Sequence, residues 1–161
     1  MRPSSPRFNE THALKCELAT EVLRSSGTLQ LRACGRSMLP TVWPGDTLVV
    51  EEVPGSDVAT GDIVLFSCNS RFVAHRVIST GGRTEGSKIL TRGDSVSRAD
   101  APVSSSELLG KVSFILRNGR CIEPSRSLHF SERAIAALAR NSEIAARVVV
   151  GVHSMRQTSL M

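Results

Sequence analysis

The chain has no tyrosine and one tryptophan, Trp43, and aromatics make up 4% of its 161 residues. Its core must therefore be aliphatic. It also lacks the aromatics interleaved with basic residues that stack on nucleic-acid bases, so no nucleic-acid partner is expected. It has no Cys-x-x-Cys pair: Cys16, Cys34, Cys68 and Cys121 are far apart in sequence. That spacing argues against a zinc site and favours buried free thiols over a disulfide. There is no run of roughly 18 apolar residues, hence no transmembrane helix to be read from the sequence. Met1 to Phe8 is polar and carries Pro3 and Pro6, without the apolar centre of a secretory signal. Its lysines are Lys15, Lys88 and Lys111, arginine supplies the rest of the 20 basic residues, and with 15 acidic residues the net charge is +5. That charge suits an anionic surface but is modest enough for an ordinary solvated one. The expected location is cytoplasmic or peripheral to a membrane.

What is present fits one domain with an appended element. Residues 1–8 read as a disordered tail. Asn9 to Ser25 reads as a helix capped by Asn9 or Thr11, packed through Leu14, Leu18 and Val22 and ended by Gly27. Short strands follow: Thr28 to Cys34, Asp46 to Val53, and a hairpin of Gly61 to Ser67 with Arg71 to Ser79. Gly81-Gly82 is a turn, and Lys88 to Thr91 leads into Gly93-Asp94. Leu108 to Leu116 turns at Asn118-Gly119 into Arg120 to Ile122. Many short strands with frequent turns predict a mainly β fold, a small barrel or coiled sheet. From Ser131 the pattern becomes helical. An apolar seam of Ile135, Leu138, Ser142, Ala145, Val149 and Val152 faces away from Arg133, Arg140 and Arg147. Such a C-terminal amphipathic helix can pack on the sheet, meet a partner, or make peripheral contact with an anionic membrane. The divisions are thus 1–8, a β domain with its leading helix over 9–123, and a helical extension over 124–161.

One stretch stands out chemically. In Gly35-Arg36-Ser37-Met38-Leu39-Pro40-Thr41, continuing to Pro44-Gly45-Asp46, a small rigid loop holds a hydroxyl outward. Serine is a weak nucleophile and needs a base. The candidates are His12, His75, His129, His153 and the three lysines, and His75 is singled out by its strand-like run Phe72 to Ile78. Histidine, ordinarily titrating near ~6.5, can accept a proton at neutral pH without burial.

Ser37-Met38-Leu39-Pro40-Thr41 resembles the nucleophile box of type I signal peptidases, within the S24/S26 superfamily of serine peptidases. Gly61-Asp62-Ile63-Val64 resembles their second box, and Ala74-His75-Arg76-Val77 the strand carrying the general base. Arg92-Gly93-Asp94 with Asp100 resembles the next box, and Leu109-Gly110-Lys111-Val112 the closing strand. All five lie in order over roughly residues 28 to 117. Most bacterial signal peptidases have lysine where this chain has His75. Histidine there resembles the endoplasmic-reticulum, archaeal and spore-former branch.

The resemblance implies a serine endopeptidase acting on a precursor protein or peptide through an acyl-enzyme, with small side chains before the cleaved bond. It implies Ser37 as nucleophile, His75 as base, and Asp94 and Asp100 as acidic partners. Either acid can orient the imidazole. Arg36, Ser37 and Met38 are expected at the oxyanion and substrate pocket, and no metal or other cofactor is implied. Gly35 departs from the pattern, since relatives often carry there a serine whose hydroxyl helps bind the oxyanion. That departure leaves a second reading, a catalytically weak or inactive binding module on the same fold. A self-cleaving repressor is a third, but the 27 or so residues before the first strand are too few for a helix-turn-helix domain.

Overall fold

The computed structural model describes residues 6–81, 88–141, 147–148 and 150–151, with side chains from residue 14 onward except that of residue 141. Two helices, α1 (Pro6–Ser26) and α2 (Phe130–Asn141), flank seven strands. These are β1 (Thr28–Arg32), β2 (Thr47–Glu51), β3 (Ile63–Cys68), β4 (Arg71–Thr80), β5 (Ile89–Arg92), β6 (Leu108–Arg117) and β7 (Arg120–Ile122). All pairings are antiparallel, in the order β1-β2-β6-β3-β4-β5. The first half of β6 pairs with β3, and its last residues pair with β7 across the hairpin. Strands β1 and β5 end the path, so the sheet is open and does not close into a barrel.

The hairpin turns follow from residues that tolerate positive φ. Asn69 and Ser70 lie at φ 50° and 58° between β3 and β4, and Asn118 and Gly119 at 50° and 74° between β6 and β7. The central strand β3 is apolar on both sides. Ile63 and Leu65 join one aliphatic cluster with Leu48, Val50, Val112 and Ile115. Val64 and Phe66 join the other with Val77, Ile89 and Val103. That alternation is the two-residue period of a strand covered on both faces. The serine loop rests on the first cluster, into which it inserts Met38 and Val42.

Three expectations are corrected. Helix α1 begins at Pro6, inside the expected tail, because proline at a first helical turn lacks only a donor that has no partner there. It packs on β1 and β4 through Ala19 and the fully buried Leu23. Leu14, Leu18 and Val22, expected to face the core, are 56%, 59% and 49% exposed. The cysteines are free but not buried: Cys34, Cys68 and Cys121 are exposed and Cys16 is half-buried, because most fall at strand ends and turns.

Helix α2 starts where the helical pattern does. The Glu132 carboxylate accepts the His129 main-chain N–H at 2.7 Å, one half of a capping box. Its buried residue is Ala136, whereas Leu138 of the expected seam is 57% exposed. Gly82 and the seam positions Ser142, Ala145, Val149 and Val152 lie outside the described residues. Among the described residues no helix is long and apolar enough to cross a membrane, and no cluster of three metal-ligating side chains occurs.

Candidate active site

Ser37 and His75, from the loop after β1 and from β4, meet at 2.9 Å between Oγ and Nε2. On the other side of the ring, Nδ1 lies 2.6 Å from Asp100 Oδ2. That oxygen also accepts the hydroxyl of fully buried Thr91 at 2.7 Å, and the Asp100 main-chain N–H donates to Thr91 O. Asp100 is therefore held from β5 by both its main chain and its carboxylate. His75 is buried, with Phe66 edge-on to its ring at 6.2 Å. Serine hydroxyl, imidazole and carboxylate stand in one hydrogen-bonded line.

Asp94 lies elsewhere. Arg76, the next residue along β4, grips it with two parallel bonds of 2.8 Å, from Nε to Oδ1 and from Nη2 to Oδ2. Thr41 donates its hydroxyl to Oδ2 at 2.5 Å. Arg76 also donates to the carbonyl oxygens of Gly61 and Ser125, which leaves a buried ion pair with its hydrogen bonds satisfied. Adjacent side chains of a strand diverge, so His75 and Arg76 reach different acids.

The segment carrying Asp94 also clamps the serine. Ser95 N–H donates to Ser37 O at 2.9 Å, and Ser95 Oγ to Arg36 O at 2.7 Å. Gly93 makes the approach possible: a Cβ there would lie 2.5 Å from Ser37 O and 3.1 Å from His75 Nε2. Downstream of the serine, Arg117 of β6 binds Asp46 at 2.9 and 2.7 Å and donates to Thr41 O. The sequence alone pointed to no role for Thr91, Ser95 or Arg117, and it placed Arg76 and Gly93 in motifs without assigning them one. Their signal was weak, although an arginine directly after the candidate base in an apolar strand is a buried charge seeking a partner.

Three of the other candidate bases have their neighbours away from Ser37. Lys111 lies 3.8 Å from Asp62, Lys88 sits by Glu107, and His129 opens α2. The side chains of His12 and His153 lie outside the described residues. Beside Ser37 runs a largely apolar groove of about 490 Å³, walled by Leu31 to Gly35 on one side and Phe72 to His75 on the other. Met38, Val42, Leu48 and Leu65 also line it. Gly35 lies at its edge, and a Cβ there would be 4.0 Å from Ser37 Oγ. Arg36 is half-buried beside the serine.

A serine, an imidazole and a carboxylate thus stand in line beside an apolar groove on an open antiparallel sheet. Residues 5–89 match the family described as Peptidase S24-like. The match spans more than half of the 161 residues, and the chain belongs to that family. It takes in α1, the serine loop and His75, and ends at the first residue of β5, before Asp94 and Asp100. No curated protein matches the chain.

Proposed function

We propose that the protein is a serine endopeptidase of the signal-peptidase-like type, cleaving a peptide bond in a precursor protein or peptide. The observation that carries this reading is the line from Ser37 Oγ through the His75 ring to Asp100. Ser37 attacks the scissile carbonyl carbon and its proton passes to His75 Nε2. That nitrogen returns the proton to the leaving amine, then takes one from the water that hydrolyses the acyl-enzyme. Asp100 fixes the ring through Nδ1–H and stabilises the imidazolium. The oxyanion is held by the Ser37 main-chain N–H, flanked by Arg36 and Met38, and Gly35 adds no hydroxyl to it. Asp94 acts as a positioning residue, since its carboxylate is taken up by Arg76 and Thr41.

The substrate enters as an extended segment. Residues 72–75 of β4 pair with β3 alone, since β5 joins only from Arg76 onward. β1 pairs with β2 alone. A peptide laid between these two edges can use their free main-chain groups and place its side chains in the apolar groove. The inactive-module alternative has Gly35 in its favour and an intact Ser37–His75–Asp100 line against it.

A phosphonylating serine probe tests the reading directly. One adduct is expected per chain, mapping to Ser37 and lost in Ser37→Ala and His75→Ala. A parent protein that takes up no adduct, or takes it up elsewhere, would overturn the proposal in favour of a binding module.

A further inference from the structure

A second cavity, of about 540 Å³, lies between the sheet and α2 and shares no lining residue with the Ser37 groove. Arginines converge on it from three parts of the chain: Arg92 at the end of β5, Arg126 beyond β7, and Arg133 and Arg140 on α2. Arg76 also lines it but is occupied by Asp94. Asp94 supplies the one carboxylate among the lining residues, and its charge is paired with Arg76. Arg126 is bound to Asp62, and Arg140 reaches only the main-chain oxygen of Asp94, at 3.4 Å. Among the described residues, no carboxylate pairs with Arg92, Arg133 or Arg140.

Like charges gathered around one concavity repel each other and raise the local concentration of anions. Guanidinium forks bind oxyanions two oxygens at a time, and arginine is the residue suited to this. The volume falls within the range of small-molecule sites. No aromatic lines the cavity, so a nucleobase would find nothing to stack on. A compact anion with several charges can meet arginines from three elements at once. An extended acidic peptide spreads its charges along ~3.3 Å per residue and onto alternate sides.

We propose that this cavity is a binding site for a small molecule carrying two or more phosphate groups. The test titrates inorganic tripolyphosphate into the full chain by calorimetry at two salt concentrations. Saturable one-to-one binding is expected, weaker at the higher salt. Arg92→Gln and Arg133→Gln should each weaken it at least tenfold, and the pair should abolish it, with circular dichroism unchanged. Arg98→Gln, exposed and outside the cavity, should stay within twofold of the parent. No saturable binding, or binding that survives the double substitution, would overturn the site. An equal loss in Arg98→Gln would reduce it to general charge attraction and also overturn it. Hexaglutamate binding as tightly, and lost in the same variants, would replace the phosphate ligand with an acidic polypeptide. None of these readouts depends on turnover at Ser37.

Discussion

His75 and Arg76 send two adjacent side chains of one strand to two different carboxylates, and the two pairs answer to different assays. Asp100→Asn should leave the protein folded and cut kcat by about 10³–10⁴, since the amide no longer fixes the imidazole tautomer. Asp94→Asn should instead cost stability, about 3–5 kcal/mol by urea denaturation, because it leaves the Arg76 guanidinium buried against an uncharged partner. A fall in kcat for Asp94→Asn without loss of stability would exchange the two roles. Rate against pH is informative as well. The base must be neutral to accept the Ser37 proton, so kcat/KM should rise with pH and then level off. Imidazoles ordinarily titrate near ~6.5 and lysines near ~10.4. A limb rising near pH ~9 would therefore transfer the role to a lysine. Ser37 and His75 were legible in the sequence because each sits in a local motif. The choice between the acids was not, because it depends on how the chain returns from β5 and on the Thr91–Asp100 main-chain bond.

Helix α1 marks where periodicity stops being informative. Leu14, Leu18 and Val22 are four residues apart, and so are Cys16, Thr20 and, near that line, Ala19 and Leu23. Both stripes are helical, and only the second meets the sheet, because β1 and β4 present their apolar surface to it. Leu23→Ala should destabilise by about 2–5 kcal/mol. Leu18→Gln and Val22→Gln should each stay within about 0.5 kcal/mol by the same denaturation assay. Ahead of β6, Glu107 accepts the Ser104 main-chain N–H at 2.9 Å and its hydroxyl at 2.7 Å. These two bonds, the main-chain one foremost, hold its carboxyl below the ordinary glutamate value. A depressed folded value means that the turn gains its support above the unfolded pKa and loses it as pH falls through the folded one. An NMR titration of Glu107 should therefore show a low midpoint, moving upward in Ser104→Ala.

For the whole molecule, the sequence carried the strands and their turns, since Asn118-Gly119 and the apolar run Ile63 to Phe66 of β3 are local signals. It did not carry the order in which strands lie. β6 enters between β2 and β3, so its neighbours are set by the long-range fit of two aliphatic clusters. Nor did it carry the cavity beneath α2, whose arginines are scattered from Arg92 to Arg140 and meet only once α2 has docked. The same packing makes the serine loop dependent on distant partners: Ser95 on one side and Arg117 on the other.

Trp43 sits in that loop, 8% exposed, with its main-chain N–H on the Asp46 carboxylate. In a chain without tyrosine it is a solitary intrinsic fluorophore, placed a few residues from the proposed nucleophile. Its emission is thus an optical readout of the loop and needs no label. On addition of denaturant its red shift should coincide with the loss of far-UV ellipticity, as expected where loop and sheet melt together. An emission change that preceded the ellipticity change would mean that the loop detaches while the sheet stands. A peptide seated against Val42, the neighbouring groove residue, should alter the same emission, so occupancy could be followed in the unmodified protein.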